Sequence, residues 1–136
     1  AHYLITGHTG FKGSWLTLLL KSRGHEVSGL ALEPLLGSLF ERANISSDLT
    51  HDFRVDVRNR DGVVDSFQQA KPDVVIHMAA QALVREGYRD PIGTYETNVN
   101  GTLHVLQASD ATDSVTSQLI VTTDNVYRDD GLRRPY

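Results

Sequence analysis

The chain has 136 residues, enough for one domain with a real core, and its hydrophobic content of 40% and charged content of 22% are ordinary for a globular protein. A formal net charge of −4 gives no footprint for nucleic acid or an anionic membrane, and the one basic pair, Arg133-Arg134, reads as a solvated loop. There is no cysteine and no H-x-x-x-H spacing among the six histidines, so disulfides and metal sites are not expected, and no segment reaches the ~20 apolar residues needed to span a bilayer.

The elements alternate strand and helix. Tyr3–Thr6 is a first strand. Phe11–Arg23 follows as a helix with apolar spacing through Trp15, Leu16, Leu19 and Leu20, stopped by Gly24. Glu26–Leu32 is a second strand, ended by Pro34. Residues 35–48 are irregular, with a short helix around Leu39–Ala43. Phe53–Val57 is a third strand, and Asn59–Ala70 a helix turning Val63, Val64 and Phe67 inward. Asp73–Met78 is an apolar fourth strand suited to burial on both faces. Pro91–Ala108 is a long helix with Tyr95, Val99, Leu103 and Leu106 on its apolar side, and Gln118–Thr122 a fifth strand. This pattern predicts an α/β, Rossmann-type doubly wound parallel sheet with right-handed crossovers. Such a sheet usually continues past a fifth strand. We therefore expect residues 1–136 to be the N-terminal portion of a longer protein, incomplete at the C-terminus, as the missing initiator Met also suggests. No signal peptide is expected ahead of a strand that starts near residue 1, and a cytoplasmic location follows.

The most informative stretch is Gly7-His8-Thr9-Gly10-Phe11-Lys12-Gly13, lying between the first strand and the first helix. A strand passing through a glycine-rich turn into a helix is a phosphate-binding device, because the free N–H groups of the helix start face the anion. Gly7 permits the turn, Gly10 lets the backbone approach a pyrophosphate, and Gly13 lets the helix pack against the strand. Thr9, Phe11 and Lys12 belong to the same cradle. The predicted ligand is a dinucleotide. Other strand ends fit it. Asp56 can accept from an adenine amino group while the Val57 N–H donates to the ring; Asp56 is alternatively a cap for the helix from Asn59. Ala79 and Ala80 leave room for a cofactor, and Gln81 follows them. His77 reads as a satisfied core histidine. Asn98, inside the long helix, needs partners, whereas Asn100 reads as solvent-facing. Thr122 and Thr123 end the fifth strand, with Thr123 able to bond a substrate hydroxyl. Asp124 is either a general acid or a turn cap. The acid expected at the second strand's end falls near Ala31, with Glu33 two residues on. Glu33 repels a ribose 2′-phosphate and no Arg is expected there, which favours NAD over NADP.

The glycine pattern G-x-x-G-x-x-G preceded by Thr6 resembles the extended short-chain dehydrogenases/reductases. The blocks at 6–16, 38–41, 76–85 and 97–102 are similar to those of CDP-glucose 4,6-dehydratases, in the same order and spacing. The resemblance implies an NAD-dependent lyase in nucleotide-sugar metabolism. Carbon 4 of the sugar is oxidised, water leaves across carbons 5 and 6, and hydride returns to carbon 6. The implied substrate is a nucleotide sugar, CDP-glucose first. Oligomeric state stays open, although such enzymes are commonly homodimers. Related dehydratases carry Thr/Ser-Asp-Glu or Ser-Asp-Lys after the fifth strand, and the matching residues here are Thr123, Asp124 and Asn125. Asn125 has no proton to exchange near neutral pH. The superfamily's Tyr-x-x-x-Lys pair belongs some thirty residues past Asp124, and neither Tyr127 nor Tyr136 fits it. The 136 residues alone are therefore expected to be inactive. Two alternatives stand beside the dehydratase: a nucleotide-sugar epimerase or reductase, and a non-catalytic Rossmann protein that senses NAD(P).

Overall fold

The computed structural model describes residues 1–123 and 131. Asp124, Asn125, Tyr127, Arg133, Arg134 and Tyr136, which carried expectations above, lie outside the described residues. Five strands, β1 (His2–Thr6), β2 (Glu26–Ala31), β3 (Asp52–Arg54), β4 (Val74–His77) and β5 (Ser117–Ile120), form a parallel sheet in the order β3-β2-β1-β4-β5. The expected doubly wound fold is the one found. The chain winds outward from β1 to β3, then returns to lay β4 on the other side of β1. That reversal opens a crevice at the carboxyl ends of β1 and β4, where such sheets bind ligands.

Helices α1 (Phe11–Ser22), α2 (Leu39–Arg42), α3 (Arg60–Ala70), α4 (Val84–Arg89), α5 (Pro91–Tyr95) and α6 (Gly101–Asp110) cover the sheet. On one face Leu4, Leu30 and Val75 pack with Val63 and Phe67 of α3 and Val105 and Ala108 of α6. On the other, Ile5 and Val27 pack with Leu20 of α1. Full burial of such side chains contributes about 1.5–3 kcal/mol each.

Several expectations are corrected. In α1 the buried residues are Gly13, Ser14, Thr17 and Leu20. Trp15 and Leu19 stay 55% and 47% exposed. The reason is local: the glycine turn draws the start of α1 so close to β1 that only the small Gly13, Ser14 and Thr17 fit beneath it, and Leu20 packs further along. The long helix is one helical run over 91–110 that passes through a π turn at Glu96–Asn100. The extra residue in that turn shifts the facing positions. Gly101, Val105 and Ala108 therefore face the core, while Tyr95, Val99 and Leu103 are exposed. Strand β3 ends at Arg54 instead of Val57; Val55 N–H still bonds the Ala31 carbonyl at 3.1 Å before the chain turns away. Helix α4 and a 3-10 turn at Ile45–Asp48 were not expected. Helix α4 buries no residue, so it carries no apolar period to read.

Candidate functional site

The site begins at the glycine turn. Gly7 has φ +76°, and a Cβ there would stand 2.9 Å from the Ala79 nitrogen. A Cβ on Gly13 would overlap the Gly7 carbonyl oxygen. Gly10 is the N-cap of α1 in extended conformation, with no side chain capping the helix. A Cβ on Gly10 would meet only the Gly7 carbonyl oxygen, at 3.3 Å. Residues 7 and 13 are thus closed in by the protein, whereas a Cβ at the exposed residue 10 would press only on one carbonyl oxygen. Thr9 Oγ1 donates to the Leu32 carbonyl at 3.0 Å, tying the turn to the end of β2.

Two clefts open along the carboxyl ends of the strands. The first, of about 260 Å³, is lined by Gly7, Thr9, Gly10, Asp56, Val57 and the Ala79-Ala80 pair, with Leu32 and Arg58 on its wall. The second, of about 770 Å³, is lined by Lys12, Gln81, Asn98, Thr122 and Thr123, and shares Ala79 and Ala80 with the first. Of the cofactor-binding residues expected from the sequence, Phe11 and Gly13 line neither. Phe11 is 75% exposed, and Gly13 is buried beneath the turn.

The walls are held by hydrogen bonds. Asp56 does not cap α3; Asn59 does, accepting from the Gly62 N–H at 3.2 Å. Asp56 instead accepts from the Arg58 guanidinium at 2.6–3.1 Å, which holds its carboxyl below the usual range. Val57 is fixed from behind by His104, whose Nδ1–H donates to its carbonyl at 2.9 Å. Gly101 admits that approach, since a Cβ there would lie 2.6 Å from Val57 Cγ2. On the second cleft, Asn98 clamps Gln81: its Oδ1 accepts from the Gln81 N–H at 2.8 Å and its Nδ2 donates to the Gln81 carbonyl at 3.0 Å.

His77 is a core residue, as expected, and its partners fix its proton. Thr6 Oγ1 accepts from the N–H groups of Met78 and Ala79, at 3.0 and 3.1 Å, so its own hydrogen goes to His77 Nδ1 at 2.6 Å. Thr102 Oγ1 donates to the Asn98 carbonyl at 2.7 Å and so accepts from His77 Nε2–H at 3.0 Å. Burial pushes the imidazole down to about 4, and the neutral ring carries one donor and one acceptor. This chain of bonds pins residues 78–81 between β1 and α6.

Residues 4–131 match the model of the GDP-mannose 4,6 dehydratase family. The chain belongs to this family. It is 44% identical over 124 residues to CDP-glucose 4,6-dehydratase of Salmonella typhimurium, covering 90% of this chain and 34% of that protein. It is 33% identical over 116 residues to UDP-glucose 4-epimerase of Drosophila melanogaster, covering 77% and 32%. The UDP-glucose 4-epimerase of Thermus thermophilus, solved as a complex with NAD, is 36% identical with a TM-score of 0.72, over 82% of this chain and 34% of that one. The chain spans about a third of the length of these relatives.

In this member of the GDP-mannose 4,6 dehydratase family, sequence reasoning missed three supports of the clefts. Arg58 follows Asp56 by two residues, a spacing that signals nothing without the turn. His104 contacts Val57 across 47 positions. His8, within the glycine turn, is fully buried and bonds Asp52 at 2.8 Å through Nε2. The signal for His8 was Gly29: a Cβ on that residue would overlap the His8 ring.

Proposed function

We propose that residues 1–136 are the NAD-binding portion of a nucleotide-sugar 4,6-dehydratase that converts CDP-glucose to CDP-4-keto-6-deoxyglucose. The observation that carries this reading is the pair of clefts meeting at Ala79-Ala80 beside a turn that only glycine can build. The residues present fit a dinucleotide. Side-chain-free space at Gly10 suits a pyrophosphate, and the N–H groups of Phe11, Lys12 and Gly13 start an uncapped helix. When bound, NAD supplies a hydride acceptor and donor.

The chain's own groups do the rest. Asp56, kept ionised by Arg58, accepts the adenine amino hydrogen, and the Val57 N–H donates to the ring. Ala79, Ala80 and Gln81 border the middle of the ligand, and Asn98 holds their backbone. Thr122 closes the nicotinamide end. Thr123 orients a sugar hydroxyl and Asp124 delivers a proton to the hydroxyl leaving carbon 6. A ketone at carbon 4 acidifies the carbon 5 proton, so oxidation precedes elimination. Asn125 cannot remove that proton, which falls to another group.

The test uses the full-length protein that carries these residues. Asp124→Asn is expected to leave NAD affinity intact and to cut formation of the 4-keto-6-deoxy product by about 10²–10⁴-fold. Product at the wild-type rate would reduce Asp124 to a turn residue. A second reading, nucleotide-sugar epimerase, is favoured by Asn125 and by the 36% identity to the Thermus epimerase. Interconversion of UDP-glucose and UDP-galactose without any 4-keto-6-deoxy product would select it.

A further inference from the structure

An arginine stands beside the first cleft, next to the lining residues Ala31 and Val55, where none was expected. Arg54 pairs in register with Ala31 across β2 and β3. Leu32, the next residue, lines the cleft, and Glu33 follows it. The Arg54 guanidinium is already engaged. Its Nη2 donates to Asp52 Oδ2 at 2.7 Å, its Nε lies 3.6 Å from Glu33 Oε2, and its carbon sits 5.0 Å over the Phe40 ring. Its Nη1 is buried and has no hydrogen-bond partner among the described residues. Asp52 is fixed in turn: Ser46 Oγ donates to its Oδ2 at 2.5 Å, and His8 Nε2 to its Oδ1 at 2.8 Å. Because His8 belongs to the glycine turn, the pair that holds Arg54 is tied to the phosphate cradle itself.

We infer that Asp52 and Glu33 mask Arg54, and that this masking selects a dinucleotide with a free ribose 2′-hydroxyl over one with a 2′-phosphate. The inference rests on the reading of the clefts as a dinucleotide site. A guanidinium normally suits a 2′-phosphate, which it grips through two parallel N–H bonds. Here a phosphate must displace one carboxylate that is held by two other donors and approach a second. A 2′-hydroxyl needs no such displacement, and the other carboxylate oxygen of Glu33, a side chain 78% exposed, can accept from it. Selectivity therefore comes from two carboxylates acting on an arginine, and removing them would turn the same arginine into a phosphate ligand.

The test measures dissociation constants of NAD and NADP by calorimetry on the full-length protein that carries these residues and on four variants of it. In Asp52→Asn/Glu33→Gln the preference for NAD over NADP is expected to fall at least tenfold. Adding Arg54→Met to that pair restores most of the preference. In Asp52→Asn the amide oxygen still accepts from His8 Nε2–H, and the amide NH₂ can donate to Ser46 Oγ. If the double variant still fails to fold, the exposed Glu33→Gln alone serves. Its smaller fall, about threefold, must vanish in Glu33→Gln/Arg54→Met. A fall that persists without Arg54 means that Glu33 acts by simple repulsion, and overturns the inference. So does an unchanged preference in a folded variant of a chain that binds NAD. A wild-type chain that binds neither nucleotide overturns the dinucleotide reading, and the inference with it.

Discussion

A single methyl group separates the roles of Gly10 and Gly13. At residue 13 it would overlap the Gly7 carbonyl oxygen, whereas at residue 10 the same atom stays 3.3 Å away. Gly13→Ala is therefore expected to destabilise the fold by about 1–3 kcal/mol through overpacking, read as a lower urea midpoint. Gly10→Val should leave the stability within about 1 kcal/mol and abolish NAD binding, because the branched side chain fills the pyrophosphate's space. Equal NAD affinity in wild type and Gly10→Val would remove the turn from the site. His77 makes a pH prediction. Its folded value, about 4, lies below the 6.5 of the unfolded chain, so between those values the unfolded state binds the extra proton. Stability is complete above pH 6.5, falls on acidification toward pH 4, and levels off below it, by about 3 kcal/mol at most. His8, lowered mainly by burial, acts in the same direction. Urea midpoints on either side of the unfolded value check this; His77→Gln should flatten the difference, and an unchanged pH slope would contradict the assignment.

Among the elements, the π turn at Glu96–Asn100 does the most to shape the site. Asn98 sits in it, and both ends of its amide are spent on the backbone of Gln81. Asn98→Ala removes two hydrogen bonds to the Gln81 backbone, at a cost of about 1–3 kcal/mol. Hydrogen exchange at Gln81 should speed up by about 10-fold or more, while exchange in β1 and β4 follows global stability only. Uniform acceleration everywhere would mean that Asn98 is merely structural. The sequence identified Asn98 as needing partners from its type and position. It did not reveal the π turn, since an extra residue per turn leaves no mark in a sequence with so few apolar repeats. The same turn explains why Tyr95, Val99 and Leu103 point outward although their spacing is helical. The exposure of Trp15 has a different origin, in the close contact that Gly13 allows below.

At the scale of the whole molecule, the legible part was the order of elements and the place where strand ends converge. Alternating strands and helices dictate a parallel sheet, and the return of β4 beside β1 puts the glycine turn next to Ala79. What stayed hidden depends on contacts between residues far apart in the chain: His8 with Asp52, His104 with Val57, and Arg54 with Glu33. Single-sequence patterns carry no information about such pairs, so the reading that no arginine stood near Glu33 was wrong. We propose that the two clefts together hold one dinucleotide. The most direct measurement is a titration of the ¹⁵N-labelled chain with NAD, followed by amide chemical shifts. Saturating shifts are expected at Gly10, Phe11, Lys12 and Gly13, at Asp56 and Val57, and at Ala79, Ala80 and Gln81, with none along α3 beyond its first turn. Saturating shifts confined to other surfaces, or none at millimolar NAD, would contradict it.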